Sequence, residues 1–218
     1  MSQTLHIQPF PLGDFQTNAY VVAHGGACWV IDPGYGPGAV IDAAKSTRAN
    51  HVSIVLTHAH VDHIAGVAET RDAFPDCPIL VHEAEAGFLR DPSLNLSIAI
   101  GEPVVAPEAT QLLQHGDTLD LDGLSFHVRH TPGHSPGGVA FYQPDHKLVI
   151  AGDALFAGAI GRYDFPTSNG PQLFQSIREQ LLTLPDDTQV LPGHGPATTV
   201  GHERLTNPYL TGDQPVVV

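Results

Sequence analysis

The sequence predicts an α/β fold of four layers, in which two β-sheets pack together and helices cover their outer faces. Two observations predict it. Short apolar runs rich in Val, Ile and aromatic residues recur along the chain, and Gly, Pro or Asp stops them, as happens at strand ends. These runs fall into two batches, each followed by helix-bearing segments, with neither a sequence repeat nor a linker-like shift in composition between them. Hydrophobic residues make up 42% of the 218, enough for a sizeable core, and residues 1–218 read as one domain.

The first batch opens with strands at Leu5–Phe10, Ala19–Ala23 and Cys28–Ile31, the last stopped by Asp32-Pro33-Gly34. A helix is expected over Ala39–Ala49, where Val40, Ala43 and Ala44 share one stripe. Val52–Leu56 is a short β-branched strand, followed by helix over His63–Phe74, strand over Ile79–Val81 and helix over Glu83–Leu89. Residues 91–110 carry prolines and a glycine without periodicity and read as a connecting loop rather than a substrate lid. The second batch has strands at Gln111–Gln114, Leu119–Leu121, Ser125–His130, Gly138–Tyr142 and Leu148–Ala151. Pro171 then starts a helix over Gln172–Leu184, and Gln189–Leu191 is the last strand.

Nine Lys plus Arg against 23 Asp plus Glu give a formal charge of −14, which repels phosphate backbones and excludes nucleic acid as a partner. Cys28 and Cys77 stand far apart and outside any paired motif, which points to a reducing compartment. Cys28, inside Ala27-Cys28-Trp29-Val30-Ile31, is expected to be a buried small hydrophobe. The opening Met-Ser-Gln-Thr-Leu-His lacks the regions of a signal peptide, and no apolar run reaches the length of a membrane span. A cytoplasmic protein acting on a small molecule, without a membrane partner, is the expectation; oligomeric state is not legible.

His58, His60, Asp62 and His63 fall within six residues at the C-terminal end of the predicted strand Val52–Leu56. Imidazole and carboxylate are ligands for zinc, iron or manganese, and alternate side chains in a tight loop can face one way. A chain with 14 histidines can produce a cluster by chance, yet three further candidates sit at strand ends beside glycine. They are His134 in Thr131-Pro132-Gly133-His134-Ser135, Asp153 in Ala151-Gly152-Asp153, and His194 in Pro192-Gly193-His194-Gly195.

With these motifs in this order, the chain resembles the metallo-β-lactamase superfamily, and within it the short, single-domain glyoxalase II-like hydrolases of bacteria (hydroxyacylglutathione hydrolase-like). Asp32-Pro33-Gly34, Gly161-Arg162-Tyr163-Asp164-Phe165-Pro166 and Asn207-Pro208-Tyr209-Leu210 add to the likeness. The resemblance implies the αββα sandwich of that family, with two mixed sheets and outer helices. It implies two divalent metal ions per chain, zinc, iron or manganese, the first on His58, His60 and His134 and the second on Asp62, His63 and His194. Asp153 would bridge them, and Asp32 would brace the metal loops through hydrogen bonds as structural support.

Two such ions about 3.5–4 Å apart can share a water and lower its pKa toward about 7, so that hydroxide attacks a carbonyl without a protein nucleophile. Asp62 and Asp153 would then be the catalytic carboxylates, orienting the nucleophile. A thioester such as S-lactoylglutathione suits this chemistry, since its thiolate leaves without a strong general acid. The chain stops soon after Leu210, so the C-terminal helical domain with which full-length glyoxalase II enzymes contact glutathione is expected to be missing. Where those enzymes show Gly-Lys-Phe-Tyr, this sequence has Gly161, Arg162, Tyr163 and Asp164. Arg162 is expected either to pair with a substrate carboxylate or to form a salt bridge with Asp164, and Tyr163 either to donate at the pocket mouth or to pack in the loop. The alternative activities are a mononuclear-iron oxidoreductase resembling the persulfide dioxygenases, which show a similar Gly-Arg-x-Asp-Phe string, and a lactonase. Zinc β-lactamases with a Cys in place of Asp153 are a poorer likeness.

Overall fold

The computed structural model describes residues 4–212, so the ends of the 1–218 span lie outside the described residues. The first sheet runs β1 (His6–Leu12), β2 (Thr17–His24), β3 (Ala27–Ile31), β4 (His51–Val55), β5 (Ile79–His82) and β6 (Gln111–Leu113), neighbours in that order. It is mixed: β1, β2 and β3 pair antiparallel, whereas β3 to β6 run parallel. The parallel pairs need crossovers, supplied by α1 (Gly38–Ser46), by α2 (Val61–Ile64) with α3 (Val67–Ala73), and between β5 and β6 by residues 83–110 with their 3₁₀ turns.

The second sheet begins with β7 (Thr118–Leu121), β8 (Leu124–His130), β9 (Val139–Gln143) and β10 (Leu148–Gly152). A small hairpin of β11 (Leu155–Phe156) and β12 (Ala159–Ile160) and the helix α4 (Gly170–Ser176) separate these from β13 (Gln189–Pro192) and β14 (Thr198–Thr199). The spatial order is β14-β13-β10-β9-β8-β7, with β10 and β13 parallel and the rest antiparallel. Helices α5 (Val200–Thr206) and α6 (Pro208–Thr211) complete the described chain.

Side-chain alternation decides the layering. Tyr20, Trp29, Ile31 and Val55 of the first sheet meet Phe126, Val128, Phe141 and Ile150 of the second in the central core. Their sequence neighbours point the other way. Val21, Cys28 and Val30 pack on Val40 and Ala44 of α1, while Ile54 and Ile79 pack on Ile64 and Val67. On the far side, Ala140, Val149 and Val190 pack on Leu173, Ile177 and Val200. Helix, sheet, sheet and helix follow one another, which is the αββα sandwich expected from the sequence.

Several elements differ from the sequence expectation. The helix expected over His63–Phe74 breaks into α2 and α3, because a backbone crossing interrupts it: Gly66 donates its N–H to Pro33 O at 2.8 Å, and a Cβ on Gly66 would lie 2.3 Å from Gly34 O. Glu83–Leu89 winds as a tighter 3₁₀ helix, its first free amide, that of Ala84, held by the His82 ring. The helix expected over Gln172–Leu184 starts at Gly170 behind an Asn169 cap and widens into a π turn over Ile177–Leu181. The β11–β12 hairpin, β14, α5 and α6 have no counterpart in the expectation.

Both sheets deliver their functional ends to the same edge. The loops after β3, β4, β10 and β13 leave the carboxyl ends of strands that run parallel in pairs, the position where open α/β sheets form crevices. Thr57 O accepts the Val139 N–H at 2.8 Å and Gly193 O accepts the Asn18 N–H at 2.7 Å, so the two sheets are joined at this edge.

Candidate metal centre

Asp32 ends β3 in the left-handed region, at φ +50°, which Asp tolerates better than most residues, and it is buried. One of its oxygens accepts the Thr57 N–H at 2.7 Å; the other accepts the Thr57 hydroxyl at 2.5 Å and the His63 Nδ1–H at 3.0 Å. One buried carboxylate thus holds both ends of the turn from Thr57 to His63, and its own lone pairs are satisfied. Glu85 does the same from the other side: it accepts the Ala59 N–H at 2.5 Å and the Gly137 N–H at 2.7 Å, tying this turn to the loop that carries His134. Burial pushes the Glu85 carboxyl up, against the pull of its Gly137 and Ala59 donors.

The seven histidine and aspartate candidates converge. His58, His60 and His134 form one group, Asp62, His63 and His194 another, and His58, His63 and Asp153 a third that overlaps both, with donor atoms inside each group within 4.8 Å of one another. Asp153 spans the set: its Oδ1 lies 3.4 Å from His63 Nε2, and its Oδ2 lies 3.6 Å from His134 Nε2 and 3.3 Å from His194 Nε2. Gly193 makes room for it, since a Cβ there would lie 2.0 Å from Asp153 Oδ1. His134 donates Nδ1–H to Arg162 O at 2.7 Å, His63 donates to Asp32, and His194 donates to Phe15 O at 3.1 Å. Each of these bonds leaves Nε2 facing the cluster.

These residues fit a metal. His58 Nε2 and His60 Nε2 are buried without a hydrogen-bond partner, a costly arrangement in a protein interior that a cation in their midst relieves. The nitrogen and oxygen donor set suits zinc, iron or manganese.

The metal-free electrostatics divide the cluster in two. Burial, reinforced by neighbouring imidazoles, holds His58 well below the usual histidine range and His60 at about 3; burial also lowers His134. These three are neutral. Burial acts the same way on His63 and His194, but carboxylates outweigh it. Asp62, Asp153 and Asp32 drive His63 well above its usual value, and Asp153 with Asp62 lifts His194 to about 9. Burial would raise both aspartates, yet His63 and His194 pull Asp153 well down and Asp62 to about 2.

A cleft of about 650 Å³ opens onto this cluster. Arg162 lies on its rim, largely exposed, paired through Nε and Nη2 with Asp164 at 2.9 and 3.0 Å and stacked 4.5 Å from the Phe165 ring centre. Of the two roles open in the sequence, the structure shows the salt bridge. For Tyr163, of the two roles open in the sequence, the structure shows packing in the loop: its ring packs on Phe174, centroid to centroid 5.8 Å, and against Gly170. The segment 91–110 is more than a connection, because Ser93, Leu96 and Ile98 to Ile100 form one wall of the cleft. Buried Asn95 pins that wall, donating to Phe88 O and Val104 O at 3.0 Å while its backbone carbonyl accepts the Val61 N–H at 2.8 Å. Sequence reasoning missed Glu85, and also Thr17, whose hydroxyl donates to Asp62 Oδ2 at 2.8 Å. Thr17-Asn18, polar residues opening an otherwise apolar strand, carried a signal; Glu85 carried none. Both cysteines are buried and free, and among the described residues no helix is long and apolar enough to cross a membrane.

The sequence profile of the Metallo-beta-lactamase superfamily matches residues 12–194. The chain is 41% identical over 203 residues to the probable metallo-hydrolase YqgX of Bacillus subtilis, covering 93% of this chain and 96% of that one. It is 33% identical over 216 residues to the hydroxyacylglutathione hydrolase GloC of Haemophilus influenzae, covering 94% and 98%. Among solved structures it is similar to BLEG-1, a B3 metallo-beta-lactamase, with a TM-score of 0.90 at 40% identity over 95% of this chain and 100% of that one. It is also similar to TTHA1623 in a di-iron-bound form, with a TM-score of 0.84 at 41% identity over 93% and 100%.

Proposed function

The chain is a metallo-hydrolase belonging to the metallo-beta-lactamase superfamily, and on that premise we propose that it cleaves thioesters at a pair of divalent ions, as one domain in the cytoplasm. The observation that carries this reading is Asp153, whose two oxygens reach both three-residue groups. His58, His60 and His134 would hold one ion, Asp62, His63 and His194 the second, and Asp153 both. When bound, two such ions bring the pKa of a water toward about 7 and polarise a substrate carbonyl.

The protein's own side chains position that chemistry. Thr17 holds Asp62, Asp32 holds His63, and the Arg162 carbonyl fixes the His134 ring. Asp62 and Asp153 would accept hydrogen bonds from the attacking water and orient it. A thioester suits this set because its thiolate departs without a strong proton donor. The likeness to the hydrolase GloC supports the thioester, and the di-iron form of TTHA1623 supports two ions.

Elemental analysis of the purified protein, followed by turnover of S-lactoylglutathione, a β-lactam and glutathione persulfide, tests the proposal. The lactam enters the panel because of the likeness to BLEG-1, and the persulfide because of the Gly161-Arg162-Tyr163-Asp164-Phe165 string. Two ions per chain with thioester hydrolysis is the expected result. One iron per chain with persulfide-dependent oxygen uptake, or lactam turnover alone, would overturn it.

A further inference from the structure

Beyond its histidine and carboxylate donors, the cleft over the metal centre is walled with hydrocarbon: Phe15, Leu96, Ile98, Ile100, Phe156 and Phe165 face it. Three of these stand largely in water, Phe15 47% exposed, Ile98 58% and Ile100 42%, where a polar residue would be better solvated. The wall is also fixed in place by the Asn95 hydrogen bonds to Phe88, Val104 and Val61.

Charge points the same way. Arg162 is the one Lys or Arg among the described residues that line the cleft, and Asp164 already occupies the Nε–Nη2 edge of its guanidinium. An anionic group entering beside the wall meets a guanidinium whose charge Asp164 already balances, in a protein whose formal charge is −14. A cleft of about 650 Å³ is also far larger than a two- or three-carbon acyl group fills.

We infer that the cleft holds the acyl part of its substrate as an uncharged hydrophobic chain, with the carbonyl at the donors around Asp153. This rests on the thioesterase reading and narrows it to thioesters of medium-length hydrophobic acyl groups, in preference to short hydroxyacyl groups. The polar carrier thiol points to the open mouth.

The test uses the full-length, metal-replete protein and thioesters of one small neutral thiol, with acyl chains from acetyl to decanoyl. The expected result is a rise in kcat/KM of about two- to fourfold per methylene before a plateau, the range for burying a CH₂ group. Ile98→Ser and Ile100→Ser, at exposed positions, should flatten that slope, whereas Leu205→Ser, 77% exposed and outside the cleft lining, should keep it. Turnover with a flat or falling series, or a slope unchanged in both isoleucine variants, overturns the inference and leaves the thioesterase reading standing. If no thioester is turned over, that reading falls, and calorimetric affinity for the matching uncleavable acyl amides decides the inference alone: affinity independent of chain length overturns it.

Discussion

The two halves of the candidate metal centre share Asp153 but are built from different chemistry. His58, His60 and His134 are buried, neutral imidazoles, two of them with an orphaned Nε2. In the other half, Asp62 and Asp153 are ionised and His63 and His194 are protonated against them, with the His194 side chain 28% exposed. The first half can accept a cation without losing a proton. The second balances its own charge and must release protons to make room. Two groups within a few ångströms of each other are thus suited to a cation by opposite means, dryness in one and carboxylates in the other.

Asp153 is where the comparison breaks most severely, since both halves lean on it. Asp153→Ala should lower hydrolysis by about 10³-fold or more, the scale on which active sites lose a preorganised electrostatic group, and should reduce bound metal in both halves. Rates near those of the unaltered chain, or one half left fully loaded in elemental analysis, would show that Asp153 does not join them.

The pH dependence of loading sharpens the contrast. His194 titrates at about 9 in the metal-free protein, so below that pH a proton holds the site an ion must take. Affinity in the second half should fall about tenfold for each unit of pH below 9, per proton displaced. His60, at about 3, is already deprotonated across the whole range from pH 5 to 9, so affinity in the first half should stay flat there. Chelator competition at several pH values, with proton release read by calorimetry in buffers of different ionisation enthalpy, separates the two. A pair of equal slopes would erase the distinction.

The same contrast governs how much could be read from sequence. The candidate donors were legible because four of them, His58, His60, Asp62 and His63, fall within six residues, and the other three, His134, Asp153 and His194, each follow a glycine at a strand end. The layers were legible because Trp29 and Ile31 alternate with Cys28 and Val30, which fixes two faces whatever the partner strand. What supports the donors was not legible. Glu85 acts on backbone amides 26 and 52 residues away, and any residue type but proline can supply an amide. Gly66 interrupts a helix only because the Pro33-Gly34 backbone crosses it. The wall at Leu96 to Ile100 lacks periodicity because a cleft, rather than a core, sets its pattern.

Glu85 tests the first half from its support. Its carboxylate joins the turn carrying His58 and His60 to the loop carrying His134, without touching any of the three. Glu85→Ala should cost about 10- to 100-fold in metal affinity or turnover, the usual effect of removing a group that orients ligands. Glu85→Gln keeps one acceptor and the side-chain volume and should recover part of that loss. Because burial also makes Glu85 a stability element, thermal unfolding of the metal-free variants belongs beside the metal titration. A loss of stability with unchanged affinity would assign it to the fold alone.

Thr17 gives the smallest effect and the sharpest reading of the second half. Its hydroxyl donates one 2.8 Å bond to Asp62 Oδ2, the oxygen that also lies 3.3 Å from His194 Nε2 and 3.4 Å from His63 Nε2. Thr17→Val keeps the β-branched shape that β2 buries and removes only that donor. A carboxylate short of one hydrogen bond is a stronger base and less firmly aimed. Affinity for the second ion should therefore drop by up to about tenfold, and more below pH 7 than above it, as protons compete better for the loosened carboxylate. The first half makes no contact with Thr17, so its affinity should not move. An equal loss in both halves would mean that the turn from Thr57 to His63 responds as one body, and that the division between a dry half and a charged half describes the resting protein rather than the way it takes up metal.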